Sequence, residues 1–184
     1  MARTPSTMQE LGTSAVDFSL PDGTGATHSL NSCRGDKGTL VIFMCNHCPF
    51  VVHVADELAS LGRDYSNRGI GIVAINSNDV ENYPDDAPDK MVETAKAWGL
   101  DFPYLYDESQ EIAKQYQAAC TPDFFLYDEQ DSLIYRGQLC ESRPGSDIPV
   151  TGKDLRAALD ALVSGTPVSE DQKPSIGCNI KWKQ

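Results

Sequence analysis

No stretch of this sequence stays apolar for the roughly 18 residues that a membrane-crossing helix needs. Basic residues are also scarce, with 15 Lys and Arg against 27 Asp and Glu and a formal net charge of −12. The first shortage argues against a membrane-spanning protein. The second argues against nucleic acid and anionic membrane surfaces as partners, because both would repel such a chain. Residues 1–18 lack the roughly 7–15-residue apolar core of a secretory signal, so a cytoplasmic protein is the default expectation. There is no internal repeat, no low-complexity tract and no linker that would divide the 184 residues. The expectation is therefore a single α/β domain over 1–184, with 166–184 as a docked C-terminal tail.

Six cysteines are present. An even count can signal a disulfide framework, but such frameworks belong to shorter secreted chains. In a reducing compartment a close pair is catalytic or metal-binding instead. One such pair exists, inside Val41–Val54, which reads VIFMCNHCPFVVHV. Thr39–Met44 is continuously apolar and predicts a strand buried on both faces. After Pro49 the apolar residues Val51, Val54, Ala55, Leu58, Leu61 and Tyr65 follow helical spacing, and Gly69 suits a left-handed stop. Ile70–Asn76 predicts a second buried strand, which makes a parallel strand–helix–strand unit.

Elsewhere, Phe18–Leu30 predicts a hairpin around Pro21-Asp22-Gly23-Thr24-Gly25. The acidic, proline-containing segment Asn78–Lys90 is expected to be a solvated loop, with substrate binding as the alternative. Short helices are expected within 89–99 and 109–118, with a strand between them, and two strands about Glu129-Gln130-Asp131. Residues 151–165 predict a helix with a Thr151/Asp154 capping box, a face of Leu155, Ala158, Leu159 and Leu162, and a stop at Gly165. In the tail, alternation of Ile176, Cys178, Ile180 and Trp182 predicts one docked side.

Cys45 and Cys48 thus lie where a buried strand gives way to a helix. Free N–H groups and the dipole at a helix start stabilise a thiolate, lowering a cysteine pKa from about 8.5 to roughly 3.5–7.5. On this reading Cys45 is the exposed nucleophile. Cys48, one turn on and more buried, resolves the mixed disulfide. His47, if protonated, would lower the Cys45 pKa further; an outward, solvated imidazole is the alternative. His53 is expected on the helix surface. Thr121-Pro122, opening a later strand, is a place where a cis peptide is cheap, although a trans proline at a strand start is the plainer reading of that step alone.

The segments FMCNHCPFV, AINSNDVENYP, FPYLYDESQEIAK, CTPDFFLYD and PSIGCNIKWK, in that order, resemble the thioredoxin-fold redoxins. That group includes peroxiredoxins of the AhpC/TSA type and thioredoxin-like extracytoplasmic reductases. More narrowly, the chain is similar to peroxiredoxin-like thioredoxin-family proteins from about Phe18 to Lys183. The resemblance implies a thioredoxin-like α/β fold: a central mixed β-sheet flanked by helices, with an N-terminal hairpin and an extra C-terminal tail. It also implies a reactive Cys45–Cys48 pair, a cis Pro122 beside it, and a backbone at Thr121 that pairs with a substrate peptide. One departure matters. The peroxiredoxin signature Pro-x-x-x-Thr-x-x-Cys would put its reactive cysteine at Cys48, but its proline position is Val41 and its threonine position is Cys45. Neither Arg136 nor Arg143 can be assigned from sequence as the arginine such a site uses.

The expected function is a thiol–disulfide oxidoreductase in cell redox homeostasis. Its substrate would be a protein or small-molecule disulfide, its reductant a thioredoxin or glutathione system, and it would need no cofactor. A peroxiredoxin-like thiol peroxidase is the alternative, and a zinc-binding or redox-sensing module is the next. No metal is expected, because structural zinc commonly takes two close pairs and His53, Cys120 and Cys178 are scattered. Cys120 is read as packing, with a third redox thiol as the alternative; Cys178, in the docked tail, is read as packing, with a distant resolving cysteine as the alternative. Cys33 and Cys140 are expected to be free thiols without a role.

Overall fold

The computed structural model describes residues 3–184. Its centre is a five-stranded mixed sheet of β4 (Gly38–Phe43), β5 (Ile70–Asn76), β6 (Tyr104–Tyr106), β8 (Asp123–Asp128) and β9 (Leu133–Gly137). These strands lie in the order β6-β5-β4-β8-β9. β4 pairs parallel with β5 and antiparallel with β8. All six β4 residues are buried, as a run without polar alternation requires. Leu40 and Ile42 face one apolar cluster with Leu58, Leu61, Tyr65 and Leu159, while Val41 and Phe43 face another with Leu30, Ala113 and Tyr116. Each such Val, Leu, Ile or Phe side chain contributes about 1.5–3 kcal/mol by leaving water.

The helices supply the covering layers: α1 (Leu30–Cys33), α2 (Pro49–His53), α3 (Ala55–Tyr65), α4 (Pro88–Trp98), α5 (Glu111–Gln115) and α6 (Lys153–Ser164). The expected single helix after Pro49 is broken at Val54, whose φ of −110° and ψ of 8° leave the helical region. The break follows Val51 and Val52, β-branched residues that weaken helix propensity. Gly69 ends the segment at φ 87° as its lack of Cβ allows. The N-terminal hairpin forms from β2 (Ser19–Pro21) and β3 (Thr27–Ser29), with Asp22 Oδ1 accepting from the N–H groups of Thr24 and Ala26.

One local expectation is corrected. The N-cap of α6 is Gly152 at φ 63°, and the Thr151/Asp154 capping box does not form. Asp154 is drawn away by Gln138, whose Nε2 donates to Asp154 Oδ2 at 2.6 Å, while the Asp154 N–H donates to the Leu139 carbonyl. Tertiary partners have replaced the local cap.

A second, three-stranded sheet joins the two ends of the described chain: β1 (Arg3–Pro5), β10 (Ile176–Asn179) and β7 (Cys120–Thr121), in the order β1-β10-β7. Cys178 and Ile180 are buried, while Trp182 is 39% exposed, so the docked side of the tail stops short of Trp182.

Candidate functional site

β4 ends at Phe43, and the next turn carries Cys45-Asn46-His47-Cys48 into α2. Cys48 is the N-cap and Pro49 occupies the first helical turn, where a missing N–H costs nothing. Cys45 therefore lies three residues before the N-cap rather than at the helix tip. Nor is it exposed: Cys45 is 1% and Cys48 0% accessible. The expectation of an exposed Cys45 rests on chain position alone, and packing of the loops and tail overrides it.

Thr121-Pro122 is a cis peptide. The Thr121 Oγ1 lies 3.6 Å from Cys45 Sγ, and the Cys48 thiol donates to the Thr121 carbonyl at 3.1 Å. Thr121 thus touches both sulfurs. Its backbone is also already paired, opposite Cys178 of β10, so the edge expected to receive a substrate peptide is occupied by the chain's own tail.

Below the pair sits Asp86, with no accessible surface. Its Oδ1 accepts the backbone N–H of Asn46 at 2.8 Å and of His47 at 3.3 Å, and its Oδ2 accepts from Asn78 Nδ2 at 2.8 Å. Asn46 is further held by the Asp85 carbonyl and the Tyr104 hydroxyl. The acidic loop is thus only partly solvated: Glu81, Asn82 and Asp85 are exposed, but Asp79 and Asp86 are buried. Acidic composition concealed Asp86. The available signal was Asn76 at the end of a buried strand with Ser77-Asn78 directly after it, a polar run that has to satisfy something.

His47 is half-buried rather than fully solvated. Its ring stacks on Tyr83 with an interplanar angle of 4°, and its Nδ1 lies 2.7 Å from Asp86 Oδ2, off the line of a hydrogen bond. The two thiols compete for one proton, and this mutual influence holds the Cys45 thiol up and the Cys48 thiol down. Burial and the Asp86 charge push Cys45 further up. Burial opposes the fall at Cys48, and hydrogen bonds from Thr121 and Cys178 assist it. The Thr121 carbonyl is a partner for the Cys48 thiol only; once the proton leaves, that contact becomes repulsive and the thiolate leans on the other three groups. These directions favour the thiolate at Cys48 over Cys45, whereas chain position favours Cys45.

Cys45, His47 and Asp86 bring three potential metal-ligand atoms within 4.8 Å of one another. Two ligands on one tetrahedral zinc, each about 2.0–2.1 Å from the ion, sit roughly 3.3 Å apart. The 2.7 Å between His47 and Asp86 is closer than that, and Asp86 already accepts three hydrogen bonds. The set is framed as a support for the turn, not as a ligand cage.

Cys120 is buried, its thiol directed to the Pro122 carbonyl at 3.6 Å, and burial followed by the Asp123 charge holds it protonated. His53 meets Ser142 at 2.8 Å. Arg136 donates to the Gln9 carbonyl and to Gln172, and Arg143 to the Cys140 and Ser142 carbonyls and to Gln138. Both arginines are committed away from the sulfurs.

Asp123, directly after the cis proline, is fully buried with Oδ1 unpartnered, and burial pushes its pKa up to about 7. The native state thus holds a proton that the unfolded state, near 3.8, gives up. Its stabilising contribution is complete below about pH 4 and disappears as pH rises through 7. From pH 5 to pH 8 this loss is roughly 3 kcal/mol. Urea unfolding of wild type and Asp123→Asn at both pH values should show the variant gaining about that much on wild type; parallel changes in the two proteins would mean Asp123 does not titrate in this range.

The model of the AhpC/TSA family matches residues 11–136. Over 133 residues the chain is 30% identical to a thiol-disulfide oxidoreductase ResA of Geobacillus kaustophilus, covering 71% of this chain and 70% of that one. A second ResA, of Halalkalibacterium halodurans, is 26% identical and is spanned over 65% of its own length, slightly under two thirds. A crystal structure of an uncharacterized conserved protein from Geobacillus kaustophilus is similar over 100% of this chain and 97% of its own, with a TM-score of 0.97 and 53% identity. The thioredoxin domain of a thiol-disulfide oxidoreductase from Bacteroides vulgatus is similar at a TM-score of 0.57 and 18% identity, over 73% of this chain and 89% of that one, which shows the thioredoxin-like fold.

Proposed function

The chain belongs to the AhpC/TSA family, and from that premise we propose that it is an oxidoreductase cycling Cys45 and Cys48 between dithiol and disulfide. The observation that carries this reading is Thr121 at the cis proline, which meets both sulfurs, its Oγ1 3.6 Å from Cys45 Sγ and its carbonyl 3.1 Å from Cys48 Sγ. Two thiols converging on one residue, one of them biased to thiolate, are arranged for exchange. In the reductive direction the Cys48 thiolate attacks a substrate disulfide, one substrate sulfur leaves as a thiol, and Cys45 displaces the other to close Cys45–Cys48. A cellular thiol donor then restores the pair. The ResA relatives, named as thiol-disulfide oxidoreductases, favour a protein disulfide as substrate. Because both sulfurs are buried, entry requires the loop at 77–87 or the tail strand β10 to move aside. We place this chemistry in the cytoplasm.

A thiol peroxidase is the second reading. Cys48 stands at the reactive position of the peroxiredoxin signature and carries the thiolate character. In that cycle a hydroperoxide oxidises Cys48 to a sulfenic acid, releasing an alcohol or water, and Cys45 condenses with it to a disulfide and water. The absent threonine and the committed arginines weigh against it. Peroxide consumption and disulfide reduction by wild type, Cys45→Ser and Cys48→Ser separate the two. Disulfide turnover that needs both cysteines, with slow peroxide consumption, is expected; fast peroxide turnover that survives in Cys45→Ser would replace the first reading with the second.

A further inference from the structure

Cys178 lies on β10, directly opposite Thr121 in the antiparallel pair with β7. Opposed residues in such a pair present their side chains to the same face. The Thr121 side chain meets Cys45 at 3.6 Å, so the Cys178 thiol is delivered to the same side. Cys120, one residue along, alternates away toward the Pro122 carbonyl. Cys178 joins Cys45 and Cys48 in one buried cluster, and Cys178 and Cys48 influence each other's hold on a proton. The strand carrying it is held from two directions, by β1 and by β7. At Gly177 a Cβ would sit 2.0 Å from the Thr121 carbonyl oxygen, so only glycine lets the two backbones approach this closely beside the thiol. The sequence reads Cys120 and Cys178 alike as packing first; the register turns only Cys178 toward the sulfurs.

We infer that Cys178 is a third redox thiol of the site, forming a disulfide with Cys48 by exchange with the Cys45–Cys48 disulfide. The inference rests on the dithiol reading above. Cys178, as thiolate, attacks Cys48 Sγ; the Cys48–Cys178 bond forms as the Cys45–Cys48 bond breaks. The electron pair leaves on Cys45 Sγ, which takes up the proton that Cys178 gave up, so no external oxidant or reductant is consumed. In the reduced protein, burial and the neighbouring Cys48 hold the Cys178 proton in place. In the Cys45–Cys48 disulfide the Cys48 charge is gone, and the Lys181 ammonium remains to favour the Cys178 thiolate. The exchange staples the tail across the site and returns Cys45 to a thiol.

Full-length protein is oxidised with glutathione disulfide, quenched in acid, alkylated and mapped by peptide mass spectrometry. Wild type should contain both Cys45–Cys48 and Cys48–Cys178 links, and Cys178→Ser only the first. In Cys45→Ser the mixed disulfide of glutathione on Cys48 should decay at least about tenfold faster than in Cys45→Ser/Cys178→Ser, with a Cys48–Cys178 link appearing. Adding Cys120→Ser to Cys45→Ser should leave that rate unchanged. Equal decay in the first two variants, with Cys45–Cys48 intact in wild type, would overturn this inference alone. Failure of wild type to form Cys45–Cys48 would instead remove the dithiol reading. Should the serine at 178 impair folding, as judged by circular dichroism, Cys178→Ala supplies the same comparison.

Discussion

Cys48→Ser is expected to lower kcat/KM for a disulfide substrate by about 10⁴-fold or more, the scale on which removal of a nucleophile acts. A serine hydroxyl stays protonated at neutral pH and forms no disulfide, so both attack and closure are lost. Cys45→Ser should be milder in a single turnover, because Cys48 keeps its thiolate support from Thr121 and Cys178. Its deficit should appear in multiple turnovers, where resolution of the mixed disulfide is left to Cys178 alone. Single-turnover and steady-state rates on one fluorogenic disulfide provide the comparison. A Cys48→Ser enzyme within tenfold of wild type would show that Cys45 attacks unaided, and the order of the two sulfurs would have to be exchanged.

The second large effect is expected at Asp86. Asp86→Ala leaves the N–H groups of Asn46 and His47 and the Asn78 amide without their acceptor in a site closed to water. An unsatisfied buried group costs about 1–3 kcal/mol, so the three together should lower stability by about 3 kcal/mol or more in denaturant unfolding. Asp86→Asn separates charge from shape, since it retains an oxygen for the turn and removes the negative charge that pushes Cys45 up. The comparison is made in a Cys48→Ser background, which also removes the coupled Cys48 thiol. There, adding Asp86→Asn should bring Cys45 alkylation to half its maximal rate at least about one pH unit lower than with Asp86 intact. An unchanged pH midpoint would show that the carboxylate acts on the turn's geometry alone. Asp86 is then a positioning residue for Cys45, and the pH profile is the readout that simple destabilisation would not move.

Much of the frame was legible because its causes are local. The unbroken apolar run 39–44 could only be a strand buried on both faces, and β4 is buried at every position. Pro21-Asp22-Gly23 with a following Thr24 produces a hairpin because Asp22 closes the turn with its own neighbours. Gly165 ends α6 at φ 69°, where a side chain would be strained. The local reading failed where a distant partner outbid a nearby one, as when Gln138 and the Leu139 carbonyl displaced the Thr151/Asp154 cap.

The sequence by itself determined the chemistry on offer: a cysteine pair between a buried strand and a proline-started helix, a Thr-Pro step, and no second pair to complete a zinc site. Tertiary structure alone decided how those thiols are tuned and covered. Asp86 reaches the turn across 40 residues and Thr121 meets Cys45 across 76. Nothing in the sequence separating such residues records that they will meet. Electrostatics and burial are set by distance in space, so the bias toward a Cys48 thiolate, the closure of the site and the delivery of Cys178 exist only once the loop after β5 and the C-terminal strand have packed against the CxxC turn.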